Sequence, residues 1–438
     1  MPFPRRHALR GRILTFVDDP ALASVEAGHR YWSDGLIIIA DGIIESVGEA
    51  APLLAGEAAA LAVTDYRPHL LTPGFIDAHL HFPQTRVVAC YGEQLLDWLN
   101  RYVFPEEQKY SGLEYARAAA RFFLGELLAS GTTTAAVFCS SHASSVTAFF
   151  EESARRNTRM IAGKVMMDRN APPGLLDTAE SGYRDSKALI ERWHGNGRQL
   201  YAISPRFAIT STEAQLAAAG ALAREHAGCH VQTHLSENLA EIETVRALFP
   251  QARDYLDVYQ RFGLAGPRSL FGHCIHLSER ELHALHDTGG SAIFCPTSNL
   301  FLGSGLFDLK RASDPHRPVQ VGVATDIGAG TSYSMLRTMS EAYKILQLQG
   351  QRLDPFAAFH MMTRGNARVL SLDDRIGSIA PGREADLVVL DARATPAMAH
   401  RMERAETLAD ELFVLMMMGD ERSVRATYVM GGMVQPQA

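Results

Sequence analysis

The stretch LLTPGFIDAHLHFPQ, residues 70–84, carries the reading on which the fold turns. It is apolar as far as Ile76, and Pro73 and Gly74 mark where a strand begins. Alternate residues of a strand point to one face, so His79 and His81 would aim at the same point. Two imidazoles converging at a strand end can hold a divalent metal. The chain has 17 histidines in 438 residues, so an H-x-H pair also arises by chance. The rest of the sequence has to decide.

Working outward, apolar strand-like runs recur at 73–79, 132–139, 160–167, 201–205, 229–234, 269–273, 291–296 and 319–325. Helical patterns lie between them, such as LEYARAAARFFLGELLAS (113–130) and STEAQLAAAGALAREHAG (211–228), with apolar residues three and four apart. Strands alternating with helices in this number predict an α/β fold, a (β/α)8 TIM barrel over residues 71–377. A doubly wound open sheet is the alternative, although neither G-x-G-x-x-G nor a P-loop occurs. Both ends read differently. GLIIIADGIIESVGEA (35–50) predicts two strands around the turn Asp41-Gly42, and ATYVMGGMVQP (426–436) two more around Gly431-Gly432. Neither end has enough strands for a stable sheet, so residues 1–70 and 378–438 are expected to build one small composite β-sandwich. The Ala-rich run at 55–63 reads as a surface loop.

Composition narrows the function. Hydrophobic residues make up 47% and charged residues 21%, enough for a large core. The net charge of -7 and pI near 6.2 argue against nucleic acid as a partner, though not against a free purine or pyrimidine base. Five scattered cysteines without a C-x-x-C pair suit a reducing compartment. MPFPRRHALRGRILTF (1–16) lacks the apolar core of a signal peptide, and no run approaches the roughly 18 apolar residues of a membrane span. A cytoplasmic protein is expected.

The polar residues at the predicted strand ends raise the metal reading. The first strand ends in His79 and His81, the fifth in His234, the sixth in His273, and Asp326 follows the eighth. In a barrel these ends meet at one face. Each histidine alone suits a packed core, but five such groups at strand ends point to a metal site. Imidazole and carboxylate without thiolate suit zinc or iron(II). Cys274 follows His273 and so faces the other way. Glu237 lies one turn beyond His234 and can shuttle protons between water and substrate. Glu241 and Glu243 read as solvated. Which of the four histidines bind metal directly is open at this point.

These motifs resemble the amidohydrolase superfamily: H-x-H after P-G-F-I-D, then H-x-x-E, G-H and T-D, with GSIAPGREADLVVLD (377–391) as part of its terminal β unit. Within it, HFPQ (81–84), LLDWLNRYVFPEE (95–107), SPRF (204–207), THLSEN (233–238), CPTSNLFLGSGLF (295–307) and TDIGAGTSYSML (325–336) resemble the guanine deaminases. The resemblance covers about residues 70–380. It implies one Zn2+ held by His79, His81, His234 and Asp326, with Fe2+ as the other candidate. It implies that His273 orients water and Glu237 shuttles protons, with Asp326 sharing in catalysis. It implies a homodimer that hydrolyses guanine to xanthine and ammonia. Gln84, Arg206 and Phe207 are the expected substrate-binding residues. By residue type alone, Arg206 also suits an ordinary ion pair. Trp98, Tyr102 and Phe104 either line the site or pack in the core. Three rivals stand beside this reading: a deaminase of another purine, a pterin or a triazine; a binuclear cyclic amide hydrolase bridged by a carboxylated Lys164; and a scaffold that has lost its metal.

Overall fold

A computed structural model describes residues 5–20, 25–91 and 94–434 of the chain. Strands β1 (Arg6–Phe16), β2 (His29–Ala40), β3 (Ile43–Glu49) and β4 (Val63–Pro73) come from the N-terminal segment. The next nine are β5 (Phe75–His81), β6 (Thr132–Phe138), β7 (Arg159–Gly163), β8 (Val165–Met166), β9 (Leu200–Pro205), β10 (His230–Leu235), β11 (Ser269–His273), β12 (Ser291–Phe294) and β13 (Gln320–Val323). The last three are β14 (Leu387–Leu390), β15 (Val424–Val429) and β16 (Gly432–Val434).

The two ends of the chain share one continuous seven-stranded sheet, in the order β16-β15-β14-β4-β1-β2-β3. Only β1 and β4 run parallel within it. The sheet curls back on itself, and the β3 edge meets the segment leading into β14, with Ile44 N donating to Arg383 O at 2.8 Å and Ala385 N to Gly42 O at 2.8 Å. The expected sandwich is thus a single sheet folded over its own core, in which Leu9, Ile13, Ile37, Ile39, Leu387 and Tyr428 meet. The other face of β2 is covered too, because Leu36 and Ile38 pack on Ala50 and Ala58. Burial on both faces explains the unbroken apolar run 36–39. The run 55–63 is mostly exposed turn, as expected of a surface loop, with Ala58 tucked beneath it. Strand β1 carries three arginines in its first seven residues and does not read as a strand from sequence; its apolar positions face the core. At the C-terminal hairpin Met430 and Gly431 form the turn with positive φ, and Gly432 already belongs to β16. Residues 1–4 and 435–436 of the quoted terminal stretches lie outside the described residues.

The central strands make a parallel sheet in the order β13-β12-β11-β10-β9-β7-β6-β5, with β8 beside β9. The predicted run 160–167 divides into β7 and β8 at Gly163 and Lys164. A Cβ on Gly163 would lie 1.7 Å from Ala202 O, so only glycine allows the chain to pass this close to β9. Beyond β13 the chain closes the barrel against β5: Asp326 N donates to His79 O at 3.0 Å and His81 N to Ile327 O at 2.6 Å. Ile76, Ala136, Ile161, Ala202, Leu270 and Ile293 fill the interior, and Leu370, Leu372 and Ile376 seal its base. The opposite end, where the strands finish, is left for polar groups.

A buried ionic knot ties the barrel to the terminal sheet. Arg159 Nε lies 2.8 Å from Glu384 Oε2, Arg198 Nη2 lies 2.7 Å from the same oxygen, and Arg198 also pairs with Asp386. Replacing Arg198 by alanine strands the Asp386 carboxylate in a dry environment. The expected loss is about 3–5 kcal/mol, read by denaturant unfolding of the intact protein. A loss under about 1 kcal/mol would mean that these charges behave as surface pairs.

Candidate metal centre and substrate cleft

His79 and His81 stand two residues apart at the end of β5 and are both buried. His234 comes from the end of β10, and Asp326 from the segment that closes the barrel. His81 Nε2 lies 3.1 Å from His234 Nε2. Asp326 Oδ1 lies 3.5 Å from His79 Nε2 and 3.4 Å from His81 Nε2. His234 Nδ1 is 2.7 Å from Arg206 O; that bond requires the proton on Nδ1 and leaves a lone pair on Nε2. Burial, and then repulsion from neighbouring imidazoles, holds all three histidines neutral by pushing them well below the usual histidine range.

His79 Nε2 is buried without a hydrogen-bond partner among the described residues, and so is His81 Nδ1. Three neutral imidazoles, each offering a nitrogen within 4.8 Å of the others' and standing beside a carboxylate, form a donor set that fits a divalent cation. Burial raises Asp326 to about 7, and a cation at this centre would hold it ionised. Asp77, whose role is not evident in the sequence, holds this corner: it accepts from Thr325 N at 3.2 Å and from Thr325 Oγ1. That grip steadies the left-handed backbone at Asp326, φ 51°, a conformation uncommon outside glycine.

His273 ends β11, also with left-handed backbone at φ 71°. Its Nδ1 lies 2.9 Å from Asn299 Oδ1, so Nδ1 donates and Nε2 faces the centre. Nε2 is 3.8 Å from Asp326 Oδ2 and 3.3 Å from Glu237 Oε2. His273 falls into a second, overlapping group with His79, Asp326 and Cys295. The sequence draws no attention to Cys295, whereas Cys274 lies off the centre with its Sγ toward Phe271 O.

Glu237 is 2% exposed, and its Oε1 accepts from Ser304 Oγ at 3.0 Å. Burial lifts it to about 7, where a carboxyl can both take and give a proton at neutral pH. Glu241 is not solvated as expected. It is fully buried, and its Oε2 accepts from the backbone N of Glu237 at 2.9 Å while Tyr255 donates to Oε1 at 2.7 Å. It caps the helix that follows Asn238, a role visible in retrospect as the N-x-x-E spacing. Glu243 is exposed and pairs with Arg246 at 2.8 Å.

Above the centre lies a cleft of ≈ 380 Å³ lined by Gln84, Trp98, Arg206, Phe207, Glu237 and Leu302 among others. Trp98 lines it, while Phe104 sits under Arg206, with the guanidinium carbon 5.5 Å from the ring centre. Tyr102 does not line the cleft; it packs at the margin of the core. Arg206 is both ion-paired and part of the cleft wall. Its Nη1 lies 2.9 and 2.7 Å from the two oxygens of Glu107, which also accepts from Gln84 Nε2 at 3.2 Å. Glu107, Asn299 and Ser304 are missed by sequence reasoning, although each sits within a stretch quoted above for its resemblance. Lys164 is engaged by Asp177 and by Val165 O.

The amidohydrolase family model matches residues 70–434. The chain belongs to the amidohydrolase family. The guanine deaminase of Escherichia coli is 51% identical over 98% of this chain and 97% of its own. Its solved structure superposes on this amidohydrolase with a TM-score of 0.95 and covers 98% of this chain and 99% of its own. A probable guanine deaminase from Deinococcus radiodurans is 43% identical over 92% of this chain and 93% of its own. The crystal structure of guanine deaminase from C. acetobutylicum, with guanine bound in its active site, is 27% identical, with a TM-score of 0.89 over 98% of this chain and 100% of its own. In this amidohydrolase the buried imidazole and carboxylate group is a site for a divalent metal.

Proposed function

We propose that this amidohydrolase converts guanine and water to xanthine and ammonia, with one Zn2+ held by His79, His81, His234 and Asp326. The observation that carries the reading is a buried Glu237 set beside that imidazole and carboxylate group, under a cleft walled by Gln84 and Arg206. The close guanine deaminase relatives support it. When bound, the zinc supplies a Lewis acid that lowers the pKa of water toward neutrality, so that a nucleophile is available at pH 7. Glu237 takes a proton as water adds to C2 and passes it to a ring nitrogen, which relieves the negative charge building in the ring. His273, oriented by Asn299, and Asp326 stabilise the tetrahedral carbon. The proton of the hydroxyl now on C2 passes to the amino nitrogen, with Asp326 as its carrier, and ammonia departs to leave the carbonyl of xanthine. Phe207 offers an apolar face, and Gln84 and Arg206 offer hydrogen bonds to the purine edge.

Incubating the purified protein with guanine, while following xanthine, ammonia and bound metal in one sample, tests the reading directly. A panel with adenine, a pterin and an aminotriazine separates it from neighbouring deaminases. Two metals per chain would favour a binuclear site, but Lys164 is occupied by Asp177. Arg206→Ala is expected to raise KM for guanine about 10–100-fold, with a smaller change in kcat and metal content retained. Metal loss in that variant would assign Arg206 to structure instead.

We also propose a cytoplasmic homodimer. Free cysteines suit a reducing compartment, and among the described residues no helix is long and apolar enough to cross a membrane. Sedimentation of the metal-loaded protein tests the dimer. The division into 1–70 plus 378–438 and 71–377 is likewise our reading, supported by the two separate sheets.

A further inference from the structure

We propose that Glu107, which does not line the cleft, sets its purine selectivity by fixing which atoms of Gln84 and Arg206 are left for the substrate; this rests on the guanine reading above. Glu107 is 1% exposed and stands at the end of the short helix Phe104–Glu107. Its backbone is pinned, because Ser140 Oγ donates to Glu107 O at 3.1 Å. Its carboxylate meets both Gln84 Nε2 and Arg206 Nη1, each from a side chain only 2% exposed.

An ionised carboxylate only accepts hydrogen bonds. Gln84 must therefore turn its NH2 toward Glu107, and its Oε1 becomes the atom that remains to accept. Arg206 spends Nη1 on Glu107, and its other N–H groups remain to donate. The wall thus offers an acceptor beside donors. That order matches a lactam edge, in which a ring N–H adjoins a carbonyl oxygen, as at N1 and C6 of guanine. It opposes an amidine edge, in which a bare ring nitrogen adjoins an amino group. Donor would meet donor and acceptor would meet acceptor. Turning the ring over to restore pairing carries C2 away from Glu237.

The test compares guanine with 2,6-diaminopurine, which keeps the 2-amino group and differs at the C6 edge. Wild-type metal-loaded protein is assayed beside Glu107→Gln and Glu107→Asp. A glutamine at 107 can donate to Gln84 Oε1 and so releases the amide to flip, whereas an aspartate still only accepts. The Gln variant is expected to lose at least about tenfold of the guanine preference in kcat/KM, mostly through KM, with metal content unchanged. The Asp variant should keep the preference even where its KM for guanine rises. An unchanged preference in the Gln variant, or an equal fall in both variants, overturns the proposal. Should the Gln variant not fold, the wild-type protein decides through competitive inhibition. Hypoxanthine, with a lactam edge, should inhibit at least about tenfold more tightly than adenine, and equal inhibition overturns the assignment. Failure of wild-type protein to turn over guanine is a separate result and strikes the functional reading itself.

Discussion

Glu237→Gln is expected to lower kcat for guanine by about 100- to 10,000-fold while the protein keeps its metal and its fold. The carboxamide is close to isosteric and can still meet Ser304 Oγ, which donates to Glu237 Oε1 at 3.0 Å. What it cannot do is take up and give back a proton. The loss should therefore fall on kcat, with little change in KM, because a proton in flight belongs to the transition state. Wild-type activity should fall on the acid side as Glu237 becomes protonated before it can act as base. Burial raises this carboxyl to about 7 in the absence of a neighbouring cation, and a bound metal would move that limb to lower pH. A Gln variant within a factor of about three of wild type would remove Glu237 from the mechanism.

The second large effect concerns the metal. His81→Ala removes one of three mutually close imidazoles and should reduce metal affinity by more than about 100-fold, beyond the 10- to 100-fold usual for groups one shell further out. Activity should be lost with it, in contrast to Glu237→Gln, which keeps the metal. Metal analysis after gel filtration separates the two variants. Affinity in the wild type should also depend on pH. The imidazoles are held neutral well below their usual range and so contribute little to this dependence. Asp326 sits at about 7 without a cation, so below that pH the metal must displace its proton. Affinity should fall by up to tenfold per pH unit below about 7 and level off above it. Chelator competition between pH 5.5 and 8 reads this slope, and a flat profile would take Asp326 out of the ligand set.

Much of this molecule is legible before folding. The eight central strands and the positions of His79, His81, His234, His273 and Asp326 at their ends follow from apolar periodicity and from where it stops. These are local signals, carried within a few residues of each position. The β2–β3 hairpin is announced by Asp41-Gly42 for the same reason. By contrast, β1 is hidden, because its arginines face outward to partners such as Asp34 and Glu411 that its own sequence does not reveal.

Sequence alone determined the barrel class, the five groups that would crowd its mouth, and a carboxylate, Glu237, close behind one of them. Tertiary structure decided the rest. Glu241 looks like a surface residue in NLAEIE, yet it is buried and grips the backbone beneath Glu237. Glu107 is one of two adjacent glutamates after a proline, and only folding brings it to Gln84 and to Arg206, 99 positions away. Asp77 likewise finds Thr325 only when the first barrel strand meets the last. For Glu107 and Asp77 the physical reason is the same: the carboxylate's partner is fixed by which strand ends become neighbours as the sheet closes, and no window of adjacent residues contains that information, whereas Glu241 finds its backbone partner locally and only its burial is decided by the fold.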